Sequence, residues 1–174
     1  MKYKTKDLIM AAILIIIGIV LPMAFHFFGI NGTIFSPMHI PVLFSGLVLG
    51  PSLGLIVGIL TPILSYLITN IPTMPFLWVM TIELGLYGFI SGVFYKKLGI
   101  KLMPSLIFSM ILGRVGGALS IMLFTLAFEL NLPSPLTFIK RTTITAIPGI
   151  IIQFLLIPAL TKFYNNKNRS IIGQ

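Results

Sequence analysis

Cysteine is absent from the chain, which excludes disulfides and thiolate metal sites and leaves the redox compartment open. Acids are nearly as scarce: Asp7, Glu83 and Glu129 stand against 12 lysines and arginines. A soluble core needs a charged shell, and 9% charged residues cannot build one of any size. Nucleotide and hydrolase signatures are missing too. There is no GxxxxGK[ST] loop to hold ATP, no HExxH for a metalloprotease and no GxSxG for a serine hydrolase. With two histidines and three acids in all, catalysis has few candidates, so neither an enzyme nor a cofactor or metal is expected.

What the chain does have is apolar sequence. Hydrophobic residues make up 57% and the mean hydropathy is +1.08, the profile of an integral membrane protein. Lipid admits only helices or closed barrels, and alternating strand patterns are lacking, so the fold class is all-α. Breaks at Pro, Asn, Gly and charge delimit six spans within a single membrane-embedded domain over 1–174: about 8–28, 39–50, 52–69, 76–95, 103–128 and 141–163. The first follows Lys2, Lys4 and Lys6, but its run of about 20 residues is too long for a signal peptide's apolar region, and it is read as a retained span. The second is too short to cross at a rise of ~1.5 Å per residue. It must be tilted, extended or shielded by protein, a first hint of a cavity.

Basic residues orient these spans. With the N-terminus inside, Lys2, Lys4, Lys6, Lys96, Lys97, Lys101, Lys162, Lys167 and Arg169 are cytoplasmic, and only Lys140 and Arg141 lie outside. A six-transmembrane-helix bundle with both termini cytoplasmic follows, and the net charge of +9 reflects orientation in lipid rather than nucleic-acid binding. The outer loops are then 29–38, 70–75 and 129–140; the first, which holds Asn31, suits either a lid over a pocket or a plain connector.

Two features inside the spans ask for an explanation. Gly46, Gly50, Gly54 and Gly58 recur at every fourth position, and Pro51 divides the row between two helices. Gly85, Gly88 and Gly92 form a similar face, and Gly113, Gly116 and Gly117 flank Arg114. Such faces let backbones approach, either inside the bundle or against another membrane protein. Glu83 and Arg114 are the second feature. An arginine at a span centre costs about 2.5–3.5 kcal/mol on insertion scales. The two either form a buried ion pair or face a ligand. His39 lies near the outer mouth between Pro37 and Pro41; Trp78 and Tyr87 are belt aromatics or pocket walls; Lys140 and Arg141 hold Glu129 or attract an anion.

The segments "LPMAFHFFG", "SPMHIPVLFSGLVLGPSLGLIVGILTPILSYLITNIPTMP", "IELGLYGFISGVFY" and "LGRVGGALS" together resemble the substrate-binding S component of energy-coupling factor (ECF) transporters. The resemblance implies a multi-pass protein of a prokaryotic plasma membrane that captures a water-soluble vitamin from outside, under the loop between its first two spans. It also implies a transmembrane coupling subunit and two cytoplasmic ATPases as partners. The expected substrate-binding set is Asn31, His39, Trp78, Glu83, Tyr87, Arg114, Lys140 and Arg141. The expected partner-docking set is Ala11, Ala12, Gly18, Gly46, Gly50, Gly54 and Gly58; the family's AxxxA pattern is broken here, because Ile16 stands four positions after Ala12. The excess of outer cations favours an anionic cargo, for which pantothenate or niacin is suited. A stand-alone solute channel or facilitator and a membrane scaffold are the competing classes. The lack of a polar stripe along the full depth of any span speaks against the first, and the buried charges speak against the second.

Overall fold

A computed structural model describes residues 3–29, 32–129 and 132–172, with side chains described for 3–29, 34–129 and 132–166. Its elements are α1 (Thr5–Phe27), α2 (Gly32–Phe35), α3 (His39–Leu49), α4 (Pro51–Thr69), α5 (Phe76–Gly92) running into a π turn (Val93–Lys97), α6 (Leu102–Phe128), α7 (Pro135–Thr145) and α8 (Ile147–Ile172). No strand occurs among the described residues. Among the described residues, five helices are long and apolar enough to cross a membrane: Thr5–Phe27, Pro51–Thr69, Phe76–Lys97, Leu102–Phe128 and Ile147–Asn166.

The short second segment is the centre of the bundle. α3 has 11 residues, and all but Ile40 and Leu49 are buried, including His39, Ser45 and Gly46. At ~1.5 Å per residue it covers only about half of a ~30 Å hydrocarbon core, so it is shielded by its neighbours α1, α4, α5 and α8. Its C-terminal end is set by Gly50 at φ +93°, a backbone that favours glycine. Pro51 then opens α4, where the N–H it lacks is not needed.

Glycine makes the closest packing. A methyl group on Gly88 would overlap the Gly54 backbone, one on Gly46 would overlap the Gly88 carbonyl, and one on Gly58 would overlap the Leu84 carbonyl. The row at 46, 54 and 58 therefore faces α5 inside the bundle and not an outer surface. Without a hydrophobic drive between helices in lipid, such backbone proximity supplies the dispersion contacts that hold them together. The hydroxyls buried here bond backward or across: Thr61 Oγ1 to the Val57 carbonyl at 2.6 Å, and Ser91 Oγ to the Leu43 carbonyl of α3 at 3.3 Å. Outward residues such as Ile16, Leu119 and Leu155 are exposed and apolar, as a lipid-facing surface requires.

The last span departs from expectation. Instead of one helix over 141–163, the chain forms α7, ends it at Thr145, and restarts as α8 at Ile147. Pro148 is the physical cause: it has no N–H to give to the Ile144 carbonyl, and its ring restricts the residue before it. α7 starts earlier than expected because Ser134 accepts a hydrogen bond from the Thr137 N–H at 3.3 Å, and Pro135 follows at the first helical position.

Candidate functional site

Glu83 and Tyr87 are four apart on α5, so they share one face of the helix. That face meets α6 where Gly113 and Gly117 leave room: a methyl group on Gly113 would overlap the Tyr87 ring, and one on Gly117 would lie 3.1 Å from Glu83 Oε2. The glycines beside Arg114 are thus the sockets for the two polar side chains opposite. Arg114 Nε lies 3.3 Å from Glu83 Oε1, and the two side chains are 12% and 5% exposed. The Tyr87 hydroxyl donates to the same Oε1 at 2.8 Å.

His39 completes the cluster from the first turn of α3. Its Nε2 is 3.9 Å from Glu83 Oε1, and its ring sits 5.2 Å from that of Tyr87, centroid to centroid. Nδ1 is buried without a hydrogen-bond partner. Three helices therefore bring two cations or potential cations, a carboxylate and a phenol to one point. A buried pair like Glu83 and Arg114 is held by its geometry, and removal of one partner costs ~3–5 kcal/mol.

Arg114 has a second aspect. It lines a cavity of about 290 Å³ between α6, α7 and α8, whose walls include Met110, Ile139, Thr143, Ile150 and Phe154. The Glu83 contact runs through Nε, and the Tyr87 hydroxyl is a further neighbour of the guanidinium. A larger space of about 520 Å³ lies between α1, α3 and α8, but Lys6 at its rim is its one formal charge and it shares no wall residue with the cluster.

Of the expected substrate-binding residues, His39, Glu83, Tyr87 and Arg114 come together. Trp78 is half exposed, away from the buried cluster. Lys140 and Arg141 are exposed on α7, while their neighbours Ile139 and Thr143 turn to the cavity. Neither forms an ion pair with Glu129 among the described residues. Asn31 lies outside the described residues. In the docking set Ala12 is exposed, Ala11 and Gly18 are buried, and Gly18 sits against Thr61 and Pro41. Gly50 is buried at the joint of α3 and α4. Sequence reasoning passed over Gln153, which is 2% exposed with Oε1 unpartnered. A lone amide within "GIIIQFLLIP" is the same polar-in-lipid signal that marked Arg114.

An apolar helical bundle that buries a charge cluster beside a small cavity has the construction of a multi-pass membrane protein handling a polar solute. The chain belongs to the substrate-specific components of ECF transporters, whose family model it matches over residues 6–170. Membership makes it a transporter subunit for substrate-specific capture, with a small-molecule substrate and with ECF transmembrane and ATPase subunits as partners. No curated protein and no solved structure matches the chain.

Proposed function

We propose that the cargo is a small water-soluble vitamin bearing a carboxylate, with pantothenate and nicotinate as the leading chemistries, taken up from the extracellular side of a prokaryotic plasma membrane. The observation that carries this reading is Arg114: a largely buried guanidinium on the wall of an otherwise apolar cavity. A planar fork of N–H donors in low dielectric is matched to a carboxylate, and the apolar walls suit the remainder of a small organic acid. The volume of about 290 Å³ lies at the small end of ligand pockets.

In this reading Glu83, Tyr87 and His39 hold Arg114 in place, and Lys140 and Arg141 draw anions toward the site. Ala12, exposed on α1, belongs to the face that meets the coupling subunit. Both termini are cytoplasmic, and α3 counts as a sixth, shortened span. The test is calorimetry and thermal shift on the detergent-purified chain against a vitamin panel. Saturable, tight binding of one carboxylate vitamin, lost on amidation of its carboxyl, supports the reading. Equal binding of the amide, or selection of a cation, refutes it.

A further inference from the structure

The bundle is not closed on every side. Among the described residues, no Cα of α1 comes within 8 Å of one of α8, and the cleft of about 520 Å³ lies between these two helices with α3 as its floor. Ile40, one of the two residues of α3 that are not buried, lines it. This is therefore where the central helix meets what surrounds the bundle.

The α1 wall of the cleft is a single stripe: Lys6, Met10, Ile13, Leu14 and Ile17 recur at i, i+4, i+7, i+8 and i+11. At ~1.5 Å per residue it is about 16 Å long, half of a ~30 Å hydrocarbon core and so the depth of one leaflet. Beyond Lys6 the stripe is bulky throughout. A neighbouring transmembrane helix is held by small residues that let backbones approach, and this stripe has none. A flexible hydrocarbon chain fits such a wall without a second backbone, and an empty cleft would forfeit the dispersion contacts of the atoms that line it.

Charge sits at one end. Lys6 is the formal charge of the lining and, among the described residues, pairs with no carboxylate, its neighbour Asp7 included. Tyr164 brings a phenol to the α8 wall, its ring packed edge-on against Phe44 at 6.3 Å between centroids. Such an amphipathic ring suits the level of lipid headgroups. Lys4, just before α1, and Lys162, beside Phe163 of α8, are also exposed. A surface one leaflet deep, apolar along its length and cationic at its end, has the chemistry of a lipid with a negative headgroup.

We infer that the cleft between α1 and α8 binds one anionic phospholipid from the leaflet that meets the N-terminal end of α1, with an acyl chain along Met10–Ile17 and the floor of α3 and the headgroup phosphate on Lys6. The lipid bridges two helices that do not otherwise pack together, so it acts as a structural part of the bundle. The cleft shares no wall residue with the charge cluster, and the inference stands whatever the cargo is.

The test is native mass spectrometry of the full chain. The protein is taken in mild detergent from vesicles holding equal amounts of phosphatidylglycerol and phosphatidylcholine with matched acyl chains. One retained phosphatidylglycerol per chain is expected, in preference to phosphatidylcholine, and its addition to delipidated protein should raise the melting temperature. Lys6→Gln, at an exposed position, should lower the preference about fivefold, the worth of one lysine beside an anionic membrane surface. Ile13→Trp, at a position 45% exposed, fills the cleft from the α1 wall and should abolish retention of both lipids while the chain still melts cooperatively in detergent. Equal retention of the two lipids, or a preference unchanged in K6Q, overturns the inference. So does a lipid retained undiminished by folded I13W, which would place it elsewhere on the bundle. Absence of any retained lipid overturns it as well, and failure of I13W to assemble with the transmembrane coupling subunit would then assign the cleft to a protein helix.

Discussion

Two glycines one turn apart on α5 offer a controlled test of how the bundle is held. At Gly88 an added methyl meets the oxygen, carbonyl carbon and Cα of Gly54, all backbone atoms that a rotamer change cannot move aside. At Gly85 it meets Ile59 Cγ1 at 3.3 Å and Leu55 Cδ1 at 3.4 Å, the ends of flexible side chains. Both substitutions to alanine gain the same helix propensity, up to ~1 kcal/mol, so their difference isolates the clash. For G85A, propensity and mild crowding should nearly cancel. For G88A, α4 and α5 must separate, and overpacking of this kind costs ~1–3 kcal/mol. The all-backbone contact puts G88A toward the upper end, about 2 kcal/mol or more below G85A. In a chain of this size that corresponds to a Tm roughly 4–8 °C lower. Thermal unfolding of both variants in one detergent, followed by tryptophan fluorescence from Trp78, reads the difference. Equal melting temperatures would refute the claim that α4 and α5 meet backbone to backbone.

Arg114→Ala should weaken binding of a carboxylate vitamin by ~2–5 kcal/mol in calorimetry and also lower the melting temperature, since Glu83 is left buried and unpaired. Restoration of the melting temperature, but not of binding, in the R114A/E83A double variant would separate the two effects. Tyr87→Phe removes the 2.8 Å bond to Glu83 and should cost ~1.5–3 kcal/mol of stability, measured by denaturation, because the acceptor is charged. Ala12→Leu on the exposed face of α1 should leave vitamin binding by the isolated chain intact while uptake in cells with the coupling subunits falls; loss of both would return Ala12 to a packing role.

Much of the architecture is written in local composition. Helices α1, α4, α5 and α6 end close to where proline, asparagine, glycine and lysine interrupt the apolar runs, because those residues act on the backbone beside them. The split between α7 and α8 was equally local, at Pro148, but the surrounding run "TAIPGIIIQFLLIP" is so apolar that its hydropathy outweighed the break. The site was legible in part by the rule that ionisable groups in lipid have work to do, which marked Glu83 and Arg114, with His39 and Tyr87 beside them. Their convergence was not legible, since it depends on which glycine face meets which helix. Gly46, Gly54 and Gly58 read equally well as an outer docking surface or as an inner seam until α5 is seen against them. Lys140 and Arg141 show a further limit: charge pattern marked them without saying which face of α7 they take, and the helix turns Ile139 and Thr143 to the cavity and leaves the cations exposed.

The enclosure of α3 bears on how the protein is made. A helix of 11 residues with scarcely any outward face has nothing to offer a bilayer by itself, and it reaches only partway across. It is joined to α4 through Gly50 alone, so the two are suited to leave the insertion machinery as one hairpin, with α4 supplying the length that α3 lacks. The half-inserted turn would then wait for α5, whose glycines close over it, before the nascent chain has any buried charge to shelter. On this order of assembly the charge cluster forms when α6 brings Arg114 to Glu83, and the cavity beside it closes last, when α7 and α8 supply its remaining walls.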